Sequence, residues 1–86
     1  MKVENMTSRN GNKIPNQFII TNGDTTTFQS YDSIIIKVVA GVTYLDKRYW
    51  DYSVTTGKYR NLFLGEKKEK TERKIKEGKY ILTDLN

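Results

Sequence analysis

The sequence predicts a single α+β domain, in which a small antiparallel sheet of four or five strands is accompanied by a short helix and a polar C-terminal helix. Three observations predict this fold class: an Asn-Gly pair between two β-prone segments, a run of β-branched residues, and a Glu- and Lys-rich segment with helical spacing. The chain has 86 residues, which is enough for one hydrophobic core but not for two. We therefore predict one domain over residues 17–86, preceded by a flexible N-terminal arm over residues 1–16.

The predicted arm is rich in Ser, Asn, Gly and Lys and contains only scattered apolar residues. Such a segment buries too little apolar surface to offset the entropy that it loses on ordering. We therefore expect that deletion of residues 1–7 leaves the stability of the domain nearly unchanged.

Residues 17–31 predict a β-hairpin. Two segments rich in Phe, Ile and Thr flank Asn22-Gly23-Asp24, and Asn and Gly both accept the positive φ that tight hairpin turns require. We expect the turn at Asn22-Gly23 to span two residues or slightly more.

The following segments predict further strands. The β-branched run over residues 33–40 favours a strand, although Tyr31-Asp32-Ser33 could instead cap a short buried helix. Gly41 permits a turn, and residues 42–45 predict a strand that pairs back on the run. Residues 48–52 alternate charged and aromatic side chains, which suits a half-buried strand or an irregular aromatic corner.

The C-terminal part of the chain predicts two helices and a last strand. Residues 58–64 place their apolar side chains on one helical face after a turn over residues 53–57. Residues 66–77 predict the polar helix, with Gly78 as its end and a strand over residues 79–83 behind it. Pairs of Glu and a basic residue at a spacing of four stabilise an exposed helix by about 0.2–0.5 kcal/mol each. These pairs are Glu66 with Lys70, Glu69 with Arg73, and Glu72 with Lys76.

The composition argues against several classes of function. The chain has no cysteine and no histidine, so it lacks disulfides, thiolates and the usual ligands of structural zinc. Its aspartates are explained by turns and strand ends, and no Ser, Lys or Asp stands in a recognised catalytic arrangement. The apolar run over residues 34–42 is interrupted and far shorter than the roughly 20 residues of a membrane-spanning helix. We expect a cytoplasmic protein that is not an enzyme and has no cofactor, metal or membrane contact.

The segment from Arg48 to Arg60 combines aromatic rings with cations and is the predicted partner-binding site. Trp, Tyr and Arg dominate the binding energy of protein interfaces, and single-stranded nucleic acids also stack on such rings. The alternative is that the rings form the core and the cations are simply solvated. The predicted site residues are Arg48, Tyr49, Trp50, Tyr52, Lys58, Tyr59 and Arg60.

A secondary basic stripe on the polar helix is formed by Lys67, Lys70, Arg73 and Lys74. It could contact an acidic partner or an RNA backbone. Glutamates interleave with these cations and dilute the positive potential, so a solvated helix surface is the simpler interpretation.

Several stretches together resemble a known group of proteins. They are Ser8–Asn12, Pro15–Phe18, Phe28–Tyr31, Tyr44–Asp46, Tyr49–Glu66 (YWDYSVTTGKYRNLFLGE) and Ile75–Asn86. In these stretches the chain resembles a family of small uncharacterised proteins from bacteriophages and mobile elements. The resemblance implies an accessory protein made in an infected or plasmid-bearing bacterium. That class often includes inhibitors of host enzymes and of CRISPR or other defence systems.

Two functional hypotheses follow, and they differ in the class of partner. The first is a non-enzymatic accessory protein that binds and inhibits a host protein or nucleoprotein complex, as anti-CRISPR proteins do. The second is a small nucleic-acid-binding module, which the net charge of +5 would favour. A salt series separates them, because binding through phosphates weakens steeply with ionic strength whereas a packed aromatic interface need not.

Overall fold

The chain forms six strands and two helices, and the computed structural model describes residues 1–86. The elements are β1 (Lys2–Thr7), β2 (Lys13–Asn22), β3 (Thr25–Ser30), β4 (Ser33–Val39), β5 (Val42–Asp46), α1 (Val54–Leu64), α2 (Lys68–Lys76) and β6 (Tyr80–Thr83). One sheet contains all the strands in the order β1-β2-β3-β4-β5-β6. The first five strands form an antiparallel meander, whereas β6 is parallel to β5 because the two helices intervene in the chain.

The α+β class is confirmed, but the sheet has six strands rather than four or five. The additional strand is β1, which lies in the segment predicted to be a flexible arm. β1 pairs with β2 along its length, and the Met6 side chain is only 5% exposed and belongs to the hydrophobic core. The Asn5 side chain also donates a hydrogen bond to the Ile14 carbonyl at 3.0 Å. The prediction of an arm over residues 1–16 is therefore wrong.

The polar residues of that segment form the turn of a hairpin. The Ser8 N–H donates to the Asn12 carbonyl at 2.7 Å, and the Gly11 N–H donates to the Ser8 carbonyl at 2.9 Å. Gly11 has a φ of 82°, which glycine adopts without strain. The Ser-, Asn- and Gly-rich composition thus reflects a tight turn between paired strands.

Deletion of residues 1–7 should now destabilise the domain by about 2 kcal/mol or more, since it removes a strand and the buried Met6 side chain. Urea unfolding of the truncated and full-length chains measures the difference. Deletion of Met1 alone is the control, because that side chain is 89% exposed. Equal unfolding midpoints for all three chains would contradict the docking of β1.

The hairpin between β2 and β3 has a two-residue loop at Gly23-Asp24, because Asn22 and Thr25 are paired in the sheet. Gly23 has a φ of 62°, in the left-handed region. The predicted hairpin is therefore confirmed, with the loop displaced by one residue from Asn22-Gly23.

Gly23→Val should destabilise the fold by about 1 kcal/mol or more, because a β-branched residue is strained at positive φ. Gly23→Asn is the matched control, since Asn tolerates this conformation far better. Thermal unfolding compares the two variants. An unchanged melting temperature in Gly23→Val would show that this turn does not constrain the fold.

The core lies between the sheet and the helices. Its buried members are Met6, Phe28, Ile35, Ile36 and Leu45. The Phe28 ring stacks on the Phe63 ring of α1 with centroids 5.6 Å apart. A register shift in β4 opposite Phe28 leaves both Ile35 and Ile36 fully buried, as expected for a β-bulge.

The remaining predicted elements are present with shifted ends. The ambiguous run after Ser33 is the strand β4, and residues 47–52 form turns and a bend. The short helix begins at Val54 instead of residue 58, because the Ser53 hydroxyl accepts a hydrogen bond from the Thr56 N–H and caps the helix there. Gly65, with a φ of 68°, ends it. Neither helix is both long enough and apolar enough to cross a membrane.

Candidate functional site

The predicted site begins at the aromatic corner, which we define as residues 46–52. The buried Asp46 carboxylate organises it by accepting hydrogen bonds from the backbone N–H groups of Arg48, Tyr49 and Leu85 at 2.8–3.0 Å. Burial alone would raise the pKa of Asp46, but these hydrogen bonds outweigh burial and hold the pKa below its usual value. Asp46 therefore fixes the corner and ties the end of the chain to it.

Arg60 of α1 holds the other side of the corner in place. One terminal nitrogen of its guanidinium donates to the Trp50 carbonyl at 2.7 Å and to the Asp51 carboxylate at 3.0 Å. The other donates to the Asn61 side chain at 3.0 Å, and the guanidinium lies 5.3 Å from the Trp50 ring centroid. The side chain is only 2% exposed. Arg60 was predicted to contact a partner, but burial makes it a structural residue of the corner.

The other residues of the predicted site divide into half-buried rings that pack against the core and side chains that are exposed to solvent. Tyr49, Trp50 and Tyr59 are half-buried and pack against the core, so their rings mainly stabilise the fold. Tyr52 is 48% exposed and meets the Tyr49 ring edge to face. Arg48 and Lys58 are exposed, and the Lys58 ammonium lies 5.3 Å from the Tyr59 ring centroid. The predicted site thus leaves Arg48, Tyr52 and Lys58 accessible.

An open groove of about 700 Å³ lies at the start of α1. Tyr52, Lys58 and Lys68 line it together with Val54, which is 91% exposed. Asp51 also lines the groove, and its carboxylate binds both Arg60 and Lys68. Burial would raise the pKa of Asp51, but the hydrogen bonds from these two cations lower it overall. Asp51 therefore offsets one of the three positive charges around the groove, and Lys58 has no carboxylate within 4 Å.

The secondary basic stripe is only partly accessible. Lys67, Lys70 and Arg73 are exposed, but the Lys74 ammonium donates to the Glu66 carboxylate at 2.8 Å. Glu66 also accepts hydrogen bonds from the hydroxyls of Thr71 and Tyr80, and its side chain is only 3% exposed. None of the three predicted pairs at a spacing of four is an ion pair within 4 Å. Glu66 instead anchors α2 to β6.

Both helices pack on one face of the sheet, which we call the inner face. The Phe28 ring contacts α1, and the Ser30 hydroxyl is 3.1 Å from the Thr56 hydroxyl of the same helix. Tyr80 of β6 bonds to Glu66 and Lys74 beside α2. The molecule is only 20 Å thick along its shortest axis, which corresponds to one sheet and one layer of helices. No helix therefore covers the opposite face, which we call the outer face.

The outer face carries apolar side chains on every strand except β3, whose outward residues are Thr25, Thr27 and Gln29. Phe28 and Ser30 of β3 point towards the helices. Because side chains alternate along a strand, Thr25, Thr27 and Gln29 point to the outer face together with their partners in register. Its apolar side chains are Val3, Phe18, Ile20, Ile34, Val39, Val42, Tyr44 and Ile81. The charged residues at the outward positions of the paired strands are Lys37, the exposed Lys13 at the end of β2 and the buried Asp46 at the end of β5.

These side chains are accessible to differing degrees. Val3 is 56% exposed, and Val42 and Ile81 are each 41% exposed. The others are half-buried by their neighbours within the sheet. A solvated face of an antiparallel sheet normally carries alternating polar residues, and large exposed apolar patches mark interaction surfaces. The outer face is therefore the strongest candidate functional site.

The comparisons with known proteins place the chain in a family. A model described as a family of unknown function (DUF8033) matches residues 1–79. The chain belongs to this family. No curated protein and no solved structure matches it. The candidate site therefore depends on the geometry of the chain itself.

The outer face was not among the residues predicted from the sequence. β2, β4 and β5 carry apolar residues at successive positions, and such a pattern is typical of a strand buried on both faces. The signal that could have found the site is the mismatch between the many apolar strand positions and the almost entirely polar α2. α2 contains only Ile75 as an apolar residue, so it cannot provide a second covering layer.

Proposed function

We propose that this protein is a non-enzymatic accessory protein of a bacteriophage or mobile element. In this proposal it binds and inhibits a host macromolecule in the bacterial cytoplasm, and host-defence complexes of the kind that anti-CRISPR proteins inhibit are one class of target. The resemblance of the sequence to small phage and mobile-element proteins supports the setting. The observation that carries the binding function is the uncovered outer face with its exposed apolar side chains.

The physical reason is the free energy of the exposed apolar side chains. Each one that leaves water on binding contributes about 25 cal/mol per Å² of apolar surface buried. An isolated domain gains nothing from keeping Val42 and Ile81 exposed beside Tyr44, or Val3 exposed beside Ile20 at the other edge of the sheet. A partner that covers them gains this free energy, which makes the outer face suited to binding.

The composition of the outer face favours a protein partner over a nucleic acid. Phe18 and Tyr44 could stack on bases, but sites for single-stranded nucleic acid also line the backbone path with several cations. Lys37 and Lys13 are the only cations at the outward positions of the paired strands. The remaining large side chains are aliphatic, as in the cores of protein interfaces. A nucleic-acid-binding module is therefore the second candidate.

Paired surface variants test the proposal. Ile81 and Leu82 are neighbours in β6 and are each 41% exposed, but they point to opposite faces of the sheet. The test variant Val42→Gln/Ile81→Gln alters the outer face. The control Leu62→Gln/Leu82→Gln changes residues of similar exposure on the helix side. Each variant and the wild-type chain captures proteins from a lysate of the bacterial host, and quantitative mass spectrometry compares the captured material.

We expect the outer-face variant to lose at least about tenfold of the specifically captured protein, as for removal of interface hot spots. The control should capture as much as the wild-type chain. Equal capture by the outer-face variant would contradict the proposal. Captured material that disappears on nuclease treatment and at raised salt would support the nucleic-acid module instead.

A further inference from the structure

We infer that the partner presents an acidic, amphipathic segment, with a carboxylate that meets Lys37 among uncharged neighbours. This inference rests on the proposed function of the outer face and specifies its partner. It follows from the position of Lys37 on the outer face and from the absence of a carboxylate within 4 Å of its ammonium.

Lys37 lies near the middle of the outer face. β4, to which it belongs, is a central strand, and Lys37 is paired with Thr27 on one side and with Tyr44 on the other. Thr27 is only 6% exposed, so this part of the face is closely surrounded by side chains. Lys37 itself is half-buried, and its ammonium has no carboxylate within 4 Å.

A partner that covers the outer face must therefore accommodate this ammonium. Removing an unpaired charge from water opposes binding strongly, whereas a carboxylate with good geometry offsets much of that loss. The one carboxylate at an outward position of the paired strands is that of Asp46, which is buried and accepts backbone hydrogen bonds in the aromatic corner. Asp46 forms no ion pair with Lys37, so the chain does not provide the carboxylate itself. The partner must supply it.

The same residue argues against a second copy of this chain as the occupant. A two-fold contact centred on the outer face would bring the two Lys37 ammonium groups towards each other inside an apolar interface. Like charges in such surroundings oppose association. The net charge of +5 acts in the same direction, because it repels a second copy and attracts an acidic partner.

A displayed library of random peptides about 16 residues long provides a defined probe, since segments of this length can bind as a strand or a helix. One selection uses the wild-type chain and a parallel selection uses Lys37→Glu. Selected peptides are then measured by titration against the wild-type chain, Lys37→Met and Val42→Gln/Ile81→Gln. Lys37→Met keeps the length and apolar stem of the side chain and removes only the charge. It therefore remains informative if Lys37→Glu does not fold.

We expect peptides selected on the wild-type chain to be enriched in Asp and Glu beside apolar residues, and those selected on Lys37→Glu to be enriched in Lys and Arg. Lys37→Met should bind the acidic peptides about tenfold more weakly, as for loss of a buried charge pair. Peptides that need the outer face but show no charge preference would overturn this inference and leave the proposed function standing. Peptides that bind Val42→Gln/Ile81→Gln as well as the wild-type chain would contradict the proposed function. Sedimentation that shows a dimer lost in Val42→Gln/Ile81→Gln would identify a second copy as the occupant and overturn the inference.

Discussion

Arg60→Ala should lower the free energy of unfolding by about 3 kcal/mol, since it removes a fully buried side chain together with the donor of several hydrogen bonds. The substitution leaves the Trp50 carbonyl and the Asn61 side chain without a donor and removes the cation that lies against the Trp50 ring. Asp51 keeps Lys68 as a partner, which limits the loss. Urea unfolding followed by Trp50 fluorescence measures the change.

The exposed neighbour Lys58 is the control for Arg60. Lys58→Ala should change the stability by less than about 0.5 kcal/mol, as surface substitutions usually do. Arg60→Lys should remain well below the wild-type stability, because an ammonium cannot make the same planar set of hydrogen bonds. Unfolding of Arg60→Ala at the wild-type midpoint would show that Arg60 does not stabilise the fold. The prediction from the sequence that Arg60 contacts a partner would then regain support.

Glu66→Ala should destabilise the fold by about 2 kcal/mol, because the nearly buried carboxylate accepts hydrogen bonds from Lys74, Thr71 and Tyr80. Its loss detaches α2 from β6. Glu72→Ala, which removes an exposed carboxylate of the same helix, is the control and should change little. Hydrogen exchange should show faster opening of α2 in Glu66→Ala only. Equal protection in both variants would contradict the anchoring role of Glu66.

The same carboxylate makes the stability depend on pH. Burial acts to raise the pKa of Glu66, but its hydrogen bonds outweigh burial and lower the pKa below the usual 4.5. A folded-state pKa below that of the unfolded chain means that the contribution is fully present above the unfolded pKa. It is lost as the pH falls through the folded value. The wild-type chain should therefore lose more stability between neutral and acid pH than Glu66→Gln, and equal losses would contradict this assignment.

The local elements could be predicted because their signals are local. Gly23 marks the hairpin, the β-branched residues after Ser33 form a strand, and Gly78 follows the polar helix. β1 was missed because only Met6 of that segment is buried in the core. Pairing with β2 satisfies its backbone, and this contribution is invisible in the hydrophobic pattern.

The site could be predicted only in part because burial is a property of the whole fold. Arg60 and Lys58 are two residues apart and have the same charge, yet the helix directs one into the corner and the other towards solvent. The outer face required knowledge of where both helices pack. Ile81 and Leu82 illustrate the point, since a strand pattern alone does not tell which of the two faces is left uncovered.

The most direct test of the central claim, that the outer face contacts the partner, is site-specific photo-crosslinking in the bacterial host. One version of the chain carries a photoreactive phenylalanine derivative at Tyr44 on the outer face, and a second carries it at Tyr52 in the aromatic corner. Both positions are tyrosines in the folded protein, so the added ring replaces a ring. We expect a discrete protein adduct from position 44 and none from position 52. An adduct from position 52 with none from position 44 would contradict the account and return the partner contact to the corner.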